Sequence, residues 1–317
     1  MEEEKTVRTG LVCEGGAMRG MFTAGVLDVF LEEGIRFDGM VGVSAGATFG
    51  CNFKSQQIGR TIRYNKRFAK DRRYCSIESL LKTGNLYNAE FCYHTLPETI
   101  DLFDWDSFLA NPMKFYIVAT DCDTGRPVYH ECKSSNPEEM EWFRASASMP
   151  LVSKPVVIRG QTLLDGGISN AIPLCFMEHI GYERNVVILT QDRSYQKKPQ
   201  AGMQAFRRLQ KQYPLCYEAM KNRHFMYNDQ LADVHAKETT GQVLVIQPPA
   251  PLGIHRVEHD PEALERVYQI GRSEAQKRLE EVRAFLGLDV HSDRSLQFSQ
   301  GAGGAATEAQ YFETGSI

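Results

Sequence analysis

Short apolar runs and amphipathic stretches alternate from the start of the chain. Residues 10–13 and 37–43 are mostly apolar, which is typical of buried strands. Between them, residues 18–33 place apolar side chains at helical spacing, and Gly34 ends that pattern. A strand–helix–strand order predicts parallel strands joined by a right-handed crossover. The pattern therefore favours an α/β fold in which both strands end at the same edge of one sheet.

The same reasoning extends along the chain. A capping residue followed by proline predicts two helices, one from Asn136 to about Ala147 and one long helix from Asp260 to Gly287. Six later segments have the composition of strands, and short turns join four of them into two hairpins. They are residues 114–120, 127–131, 155–158, 162–164, 185–190 and 243–247.

A change in character after residue 190 divides the chain. We interpret residues 9–190 as a catalytic core and residues 191–289, which are more polar and largely helical in pattern, as a C-terminal part packed on it. Residues 290–317 are dominated by Ser, Gln, Gly and Ala, and we expect a disordered tail there.

Composition and charge limit the partners and the cellular location that we expect. The net charge of −4 does not indicate a nucleic-acid partner, and we expect none. No apolar run reaches the length of a membrane span, and the acidic N-terminus lacks the apolar region of a secretory signal. Eight scattered cysteines without a Cys-x-x-Cys pair are interpreted as reduced thiols. These features predict a cytoplasmic protein without disulfides or a zinc site.

One stretch, residues 54–73, is strongly basic. Two interpretations apply to it: a solvated helix face, or a patch that contacts anionic lipid head groups as a peripheral membrane surface. The stretch contains eight basic residues and one acidic residue, Asp71. The basic residues are Lys54, Arg60, Arg63, Lys66, Arg67, Lys70, Arg72 and Arg73.

The candidate chemistry begins at Ser44. It stands in the pattern Gly-x-Ser-x-Gly, between the predicted strand at residues 37–43 and a helix start. A side chain on so tight a turn needs neighbours without bulk, and Gly42 and Gly46 supply them. The hydroxyl would then lie at the end of the sheet and above a helix N-terminus, which favours negative charge. This is the arrangement of a nucleophile elbow.

Two glycine-rich segments accompany the serine. The first follows the strand at residues 10–13, and successive small residues there let backbone N–H groups point into one cavity, as in an oxyanion hole. A dinucleotide-binding turn fits less well because Ala17 replaces the second glycine of Gly-x-Gly-x-x-Gly. The second segment presents the carboxylate of Asp165 before Gly166 and Gly167. The residues of the first segment are Gly15, Gly16, Ala17, Met18, Arg19 and Gly20.

The three blocks, in this order, resemble the patatin-like phospholipase family. Residues 15–20 match its oxyanion block, residues 42–46 its serine elbow, and residues 165–167 its Asp-Gly-Gly block. Two smaller segments agree, at residues 119–125 and 147–150. The resemblance covers roughly residues 9–190, and it departs from the family pattern at Ala17, where a third glycine is usual.

The resemblance implies a three-layer α/β/α fold with a mostly parallel central sheet. It also implies a calcium-independent serine acyl hydrolase that cleaves fatty acyl esters, those of phospholipids foremost, with no cofactor and no metal. Ser44 and Asp165 would form a catalytic dyad, and the N–H groups of Gly16, Ala17 and Met18 would bind the oxyanion. Arg19 and the neighbouring glycines would support the loop or, for Arg19, contact a substrate phosphate.

Alternatives remain at this point. A Ser-His-Asp triad on another α/β fold would need a histidine after a strand, and none stands in such a context. A transacylase would use the same acyl-enzyme, and a lipid-binding or scaffolding protein would carry a vestigial site. The histidines are His94, His130, His179, His224, His235, His255, His259 and His291.

Overall fold

A computed structural model describes residues 7–288 and shows an eight-stranded mixed sheet. The spatial order is β5-β6-β3-β2-β1-β7-β8, with β4 paired to β3. The five central strands from β3 to β8 run parallel, and β4, β5 and β6 pair antiparallel. The strands are β1 Thr9–Cys13, β2 Gly39–Val43, β3 Lys114–Asp121, β4 Pro127–Glu131, β5 Val156–Ile158, β6 Gln161–Asp165, β7 Arg184–Ile188 and β8 Val243–Ile246.

Helices cover both faces of this sheet. The segment Phe91–Ile100 is a π-helix, which is wider than an α-helix, and it includes Pro97. Short 3₁₀ turns lie at Ala17–Arg19, Gly166–Ile168 and Met203–Phe206. The regular helices are α1 Gly20–Glu32, α2 Ala45–Lys54, α3 Arg60–Phe68, α4 Ile77–Thr83, α5 Trp105–Ala110, α6 Pro137–Ser146, α7 Leu174–His179, α8 Arg207–Gln212, α9 Pro214–Thr239, α10 Pro261–Lys277 and α11 Leu279–Leu286.

Alternation along β1 separates the core into two layers. Leu11 and Cys13 join the larger cluster, which contains the buried faces of α1, α2, α6 and α10. Val12 points to the opposite face and packs with residues of α7 and α9, among them Met177 and Leu231. Successive strand residues face opposite sides of a sheet, so both faces are buried. The predicted three-layer arrangement is confirmed.

The C-terminal part is continuous with this architecture. β8 extends the sheet beside β7 in parallel register. Helix α10 crosses α1 at close range because each helix places a glycine against the backbone of the other. A Cβ on Gly25 would lie 2.1 Å from the carbonyl oxygen of Tyr268, and one on Gly271 would lie 2.0 Å from that of Phe22. Only residues without a side chain permit this approach.

One predicted element is wrong in its extent. The long helix expected from Asp260 to Gly287 is two helices, because Arg278 leaves helical geometry at φ −104° and ψ 7°. Its guanidinium donates to the carbonyl oxygen of Val245 and pairs with Glu281. The expected tail at residues 290–317 lies outside the described residues, whereas all eight cysteines lie within them as free thiols.

The basic stretch is only partly a solvated face. Arg60 is buried and, with Arg63, contacts Asp101, and Arg63 does so through two hydrogen bonds of 2.8 Å. The ammonium group of Lys54 is also turned inward, onto backbone carbonyls that include that of Asn111 at 2.9 Å. Three of these cations therefore carry structural contacts, and membrane contact by this stretch stays a prediction. Within residues 7–288, no helix combines the length and apolar character of a membrane span.

The α1–α10 crossing generates a stability prediction. We expect Gly271→Val to lower the free energy of unfolding by about 3 kcal/mol, because the new side chain would overlap the backbone of Phe22. Urea unfolding followed by circular dichroism measures this change. Gln269→Ala, at an exposed position of the same helix, is the control and should change stability by less than about 0.5 kcal/mol. Equal stability of the two variants would contradict the close crossing.

Candidate active site

The site is built on a strained turn between β2 and α2. Ser44 adopts φ 54° and ψ −120°, a backbone conformation that residues other than glycine rarely adopt. A Cβ on Gly42 would lie 2.5 Å from the carbonyl oxygen of Gly46, and one on Gly46 would lie 2.3 Å from that of Cys13. These contacts are with backbone atoms and cannot be relieved by a rotamer change. The steric reason proposed for the Gly-x-Ser-x-Gly spacing is thus present in the structure.

A hydrogen-bond relay holds this turn. The N–H of Ser44 donates to Oγ of Ser146 over 2.9 Å, and that hydroxyl donates to the carbonyl oxygen of Val118 over 2.6 Å. The relay ties the elbow to the end of α6 and to β3. Sequence reasoning missed Ser146, although it directly precedes the segment at residues 147–150 that resembled the family.

Asp165 ends β6 and faces the serine. It is buried, and its Oδ1 accepts a 2.8 Å hydrogen bond from the N–H of Gly167. Its backbone is fixed at both ends, since its N–H donates to the carbonyl oxygen of Ser148 over 2.9 Å and its carbonyl oxygen accepts from Thr120 over 2.8 Å. Ser44 and Asp165 line one cavity of about 70 Å³. The structure thus brings the two predicted catalytic residues together across 121 positions of sequence.

Burial sets the acidity of this carboxyl group. Desolvation raises the pKa of Asp165 above its usual value of 3.8, because the charged form is disfavoured away from water. The positive charge of Arg223 opposes this rise, as do hydrogen bonds from Ser44 and from the N–H of Gly167. A carboxylate with a raised pKa is a stronger base than an exposed one, which suits proton abstraction from a hydroxyl.

The glycine-rich loop packs against the elbow. A Cβ on Gly15 would lie 3.0 Å from that of Ser44. The N–H groups of Gly15, Gly16 and Ala17 donate to no acceptor in the described part of the chain, as an oxyanion hole requires. Met18 differs, because its N–H donates to the carbonyl oxygen of Arg256 over 3.4 Å. The expectation that Met18 binds the oxyanion is therefore not supported by this geometry.

Glu14 anchors that loop, and sequence reasoning missed its role. One carboxylate oxygen accepts from the N–H of Thr190 at 2.6 Å and from its hydroxyl at 3.1 Å, while the other accepts from the hydroxyl of Tyr227 at 2.6 Å. Glu14 is itself buried. The loop is thereby fastened both to the end of β7 and to α9. A charged residue directly before a glycine block was the available signal.

Two environments meet at Ser44. On one side is a largely apolar cavity of about 160 Å³, which Ser44 also lines. Tyr87 and Tyr93, which follow α4 in the chain, line this cavity, whereas Ile77 and Leu81 of α4 itself are exposed. The other principal lining side chains are Phe49, Tyr64, Tyr74, Leu96, Phe103, Met140 and Phe143.

On the other side of Ser44 the lining is polar and cationic. The cavity shared with Asp165 is lined by basic side chains and contains no histidine among the described residues. A Ser-His-Asp triad therefore has no histidine partner in that part of the chain. Asp121 has the contacts of a turn residue rather than of a metal ligand, because it accepts from the N–H and hydroxyl of Thr124 at 2.8 and 2.9 Å. No cluster of three or more potential metal ligands occurs within residues 7–288.

Comparison with known proteins finds two matched regions and a relative over most of the chain. Residues 11–175 match the family described as patatin-like phospholipase, and residues 213–287 match a domain of unknown function, DUF6363. The chain is 30% identical to the uncharacterized protein YjjU of Escherichia coli (strain K12) over 278 residues, which cover 84% of this chain and 75% of YjjU.

Two further similarities are more distant. Lysophospholipase nte1 of Aspergillus fumigatus is 28% identical over 183 residues, which cover 54% of this chain but only 11% of nte1. Among solved structures, VipD from Legionella pneumophila aligns with a TM-score of 0.44 and 11% identity, over 86% of this chain and 67% of VipD.

Ala17 supports a prediction about strain. It adopts φ 50°, where a Cβ costs about 1–2 kcal/mol and a glycine costs nothing comparable. We expect Ala17→Gly to raise the free energy of unfolding by about 1 kcal/mol, after allowance for the greater freedom of glycine in the unfolded chain. Urea unfolding measures this change. Ala47→Gly, in the regular helix α2, is the matched control and should lower stability. A loss in both variants would contradict strain at Ala17.

Proposed function

The chain belongs to the patatin-like phospholipase family, and we propose that it is a calcium-independent serine hydrolase that cleaves fatty acyl esters of phospholipids through Ser44 and Asp165. One observation carries the proposal: a serine on a strained elbow and a buried carboxylate line the same cavity. The apolar cavity on the other side of Ser44 offers a place for an acyl chain.

The geometry supports a two-step reaction. Asp165 takes the proton of Ser44 while the serine oxygen attacks the ester carbonyl carbon, and the carbonyl π electrons move to oxygen. The free N–H groups of Gly16 and Ala17 bind that oxyanion, and removal of one such donor typically costs about 3–4 kcal/mol. Collapse breaks the bond to the alcohol, which leaves with the proton from Asp165. In the second step Asp165 takes a proton from a water molecule, and the water oxygen attacks the acyl carbonyl carbon. Collapse breaks the bond to Ser44, which recovers the proton, and releases the fatty acid.

The dyad is tested by hydrolysis of p-nitrophenyl acyl esters with a chelator present. We expect Ser44→Ala and Asp165→Ala each to reduce kcat/KM by a factor of about a thousand or more, because the nucleophile and its base act as a unit. Ser273→Ala and Asp229→Ala, both at exposed helical positions, are matched controls and should retain wild-type rates.

The outcomes separate the alternatives. Full activity in Asp165→Ala would contradict the dyad, and restoration of activity only by added calcium would contradict calcium independence. Transfer of the acyl group to an added alcohol, in preference to water, would identify a transacylase. A wild-type protein that binds acyl chains but turns over no ester would favour a lipid-binding role.

Asp165 also predicts a pH dependence. The base must be ionised, so activity is lost as the pH falls through its pKa. Because the folded protein raises this pKa, the acid limb of the kcat/KM profile should have its midpoint above 3.8. Chromatographic measurement of released fatty acid from pH 3 to pH 9 gives the profile. A midpoint at or below 3.8, or a rate that falls steadily from pH 5 to pH 9, would exclude Asp165 as the base.

A further inference from the structure

Four basic side chains surround the polar side of the active site. Arg19, Lys197, Arg223 and Arg256 line the cavity that holds Ser44 and Asp165. They come from the glycine-rich loop, the segment after β7, helix α9 and the segment before α10. A second and larger cavity, of about 560 Å³, is lined by Lys197, Arg223 and Arg256. We call these four residues the cationic cluster.

No carboxylate neutralises this cluster by direct contact. Among the described residues, none of its members has a carboxylate oxygen within 4.0 Å. This differs from Arg63, whose guanidinium is paired with Asp101 through two hydrogen bonds. Two buried acidic groups, Glu14 and Asp165, act on the cluster through their charges but without an ion pair. Their hydrogen bonds go to other groups, since Glu14 accepts from Thr190 and Tyr227, and Asp165 accepts from Gly167.

The members of the cluster are held in place but keep donors free. The backbone N–H of Lys197 donates to Oδ1 of Asn228 over 2.8 Å, and Nδ2 of Asn228 donates to the carbonyl oxygen of Lys197 over 3.0 Å, which fastens this segment to α9. The ammonium of Lys197 lies 4.2 Å from the centre of the Tyr227 ring. Arg223 donates through Nε to the carbonyl oxygen of Gly167. The Nε of Arg19 is buried and has no hydrogen-bond partner in the described part of the chain. Such unpaired donors are costly unless a ligand satisfies them.

The electrostatic field of the cluster acts on its own members. Burial, together with the charges of Arg223, Arg256 and Arg19, lowers the pKa of Lys197 to about 7, although the charge of Glu14 opposes the shift. Tyr195 and Tyr227 are the other titratable groups beside its ammonium. A bound anion would relieve this repulsion.

The position of the cluster indicates which part of a substrate it would meet. Ser44 lies between the apolar cavity and the cationic one. An ester whose acyl chain enters the apolar cavity places its alcohol on the opposite side of the scissile carbonyl, toward the cluster. Arginine and lysine bind phosphate oxygens through charge-assisted hydrogen bonds.

We propose that Lys197, Arg223 and Arg256, with Arg19, form a binding site for the phosphate of the alcohol that leaves. The substrates are then acyl esters of phosphate-bearing alcohols, such as lysophospholipids, in preference to neutral acylglycerols. This inference rests on the proposed function for its orientation. The site itself belongs largely to the C-terminal part, since three of its four cations follow residue 190.

A binding experiment tests the site without any turnover. Isothermal titration calorimetry of the whole protein with glycerol 3-phosphate should show binding that weakens about tenfold in Lys197→Gln and in Arg256→Gln, because each removes one charge-assisted contact. Lys221→Gln, an exposed cation on the same helix as Arg223, is the control and should bind as wild type does. Absence of binding to wild type, or equal affinity in all variants, would overturn the proposal. Because no ester is cleaved, this result is independent of the proposed function.

A kinetic comparison distinguishes a head-group site from a site for free phosphate. We expect the ratio of kcat/KM for 1-acylglycerol 3-phosphate to that for the monoacylglycerol of equal chain length to fall about tenfold in Lys197→Gln and to be unchanged in Lys221→Gln. Inorganic phosphate should bind more weakly than glycerol 3-phosphate. Equal affinity for the two probes, with an unchanged substrate ratio, would show a site for free phosphate only and would overturn the head-group assignment.

Discussion

The backbone contact between the Ser44 elbow and β1 is the constraint on which the site depends. Gly46 approaches the carbonyl oxygen of Cys13 so closely that no other residue fits there. This approach places the end of β1, and so the glycine-rich loop after it, directly beside the nucleophile. The N–H groups of Gly16 and Ala17 can face the serine only because the two strands are adjacent and parallel. The strain at Ser44 is held by the Ser146 relay rather than by the turn alone.

The C-terminal part is integral to the site. Glu14 binds Tyr227 over 213 positions of sequence, and Arg223 reaches the carbonyl oxygen of Gly167 over 56. One helix, α9, thus contacts both the oxyanion loop and the Asp-Gly-Gly turn. The second similarity region, residues 213–287, begins just before these residues. A boundary near residue 190 describes the change in composition but does not separate the active site from the remainder of the chain.

Different surroundings on the two sides of one serine give the site its direction. Aromatic and aliphatic side chains line the cavity proposed for the acyl chain, where burial of apolar groups is favourable. Basic groups line the other side, and the charge of Arg223 opposes the rise in the pKa of Asp165 that burial causes. The same cations favour the ionised form of Asp165, as the proposed mechanism requires, and would attract the proposed anionic substrate.

The features that depend on local geometry can be predicted from the sequence alone. The elbow glycines, Ser44, the glycine-rich loop, Asp165 and most strand and helix positions follow from steric demands and periodicity within a few residues of chain. Which charges meet depends on contacts between distant parts of the chain. The charge pattern of residues 54–73 predicts a solvated or lipid-facing surface, but Arg60 and Arg63 both contact Asp101, some 40 positions away. The cationic cluster was not foreseen, because Arg19, Lys197, Arg223 and Arg256 carry no shared pattern along the chain. Electrostatic interactions depend on distance and burial in space, and sequence patterns report these only for neighbours.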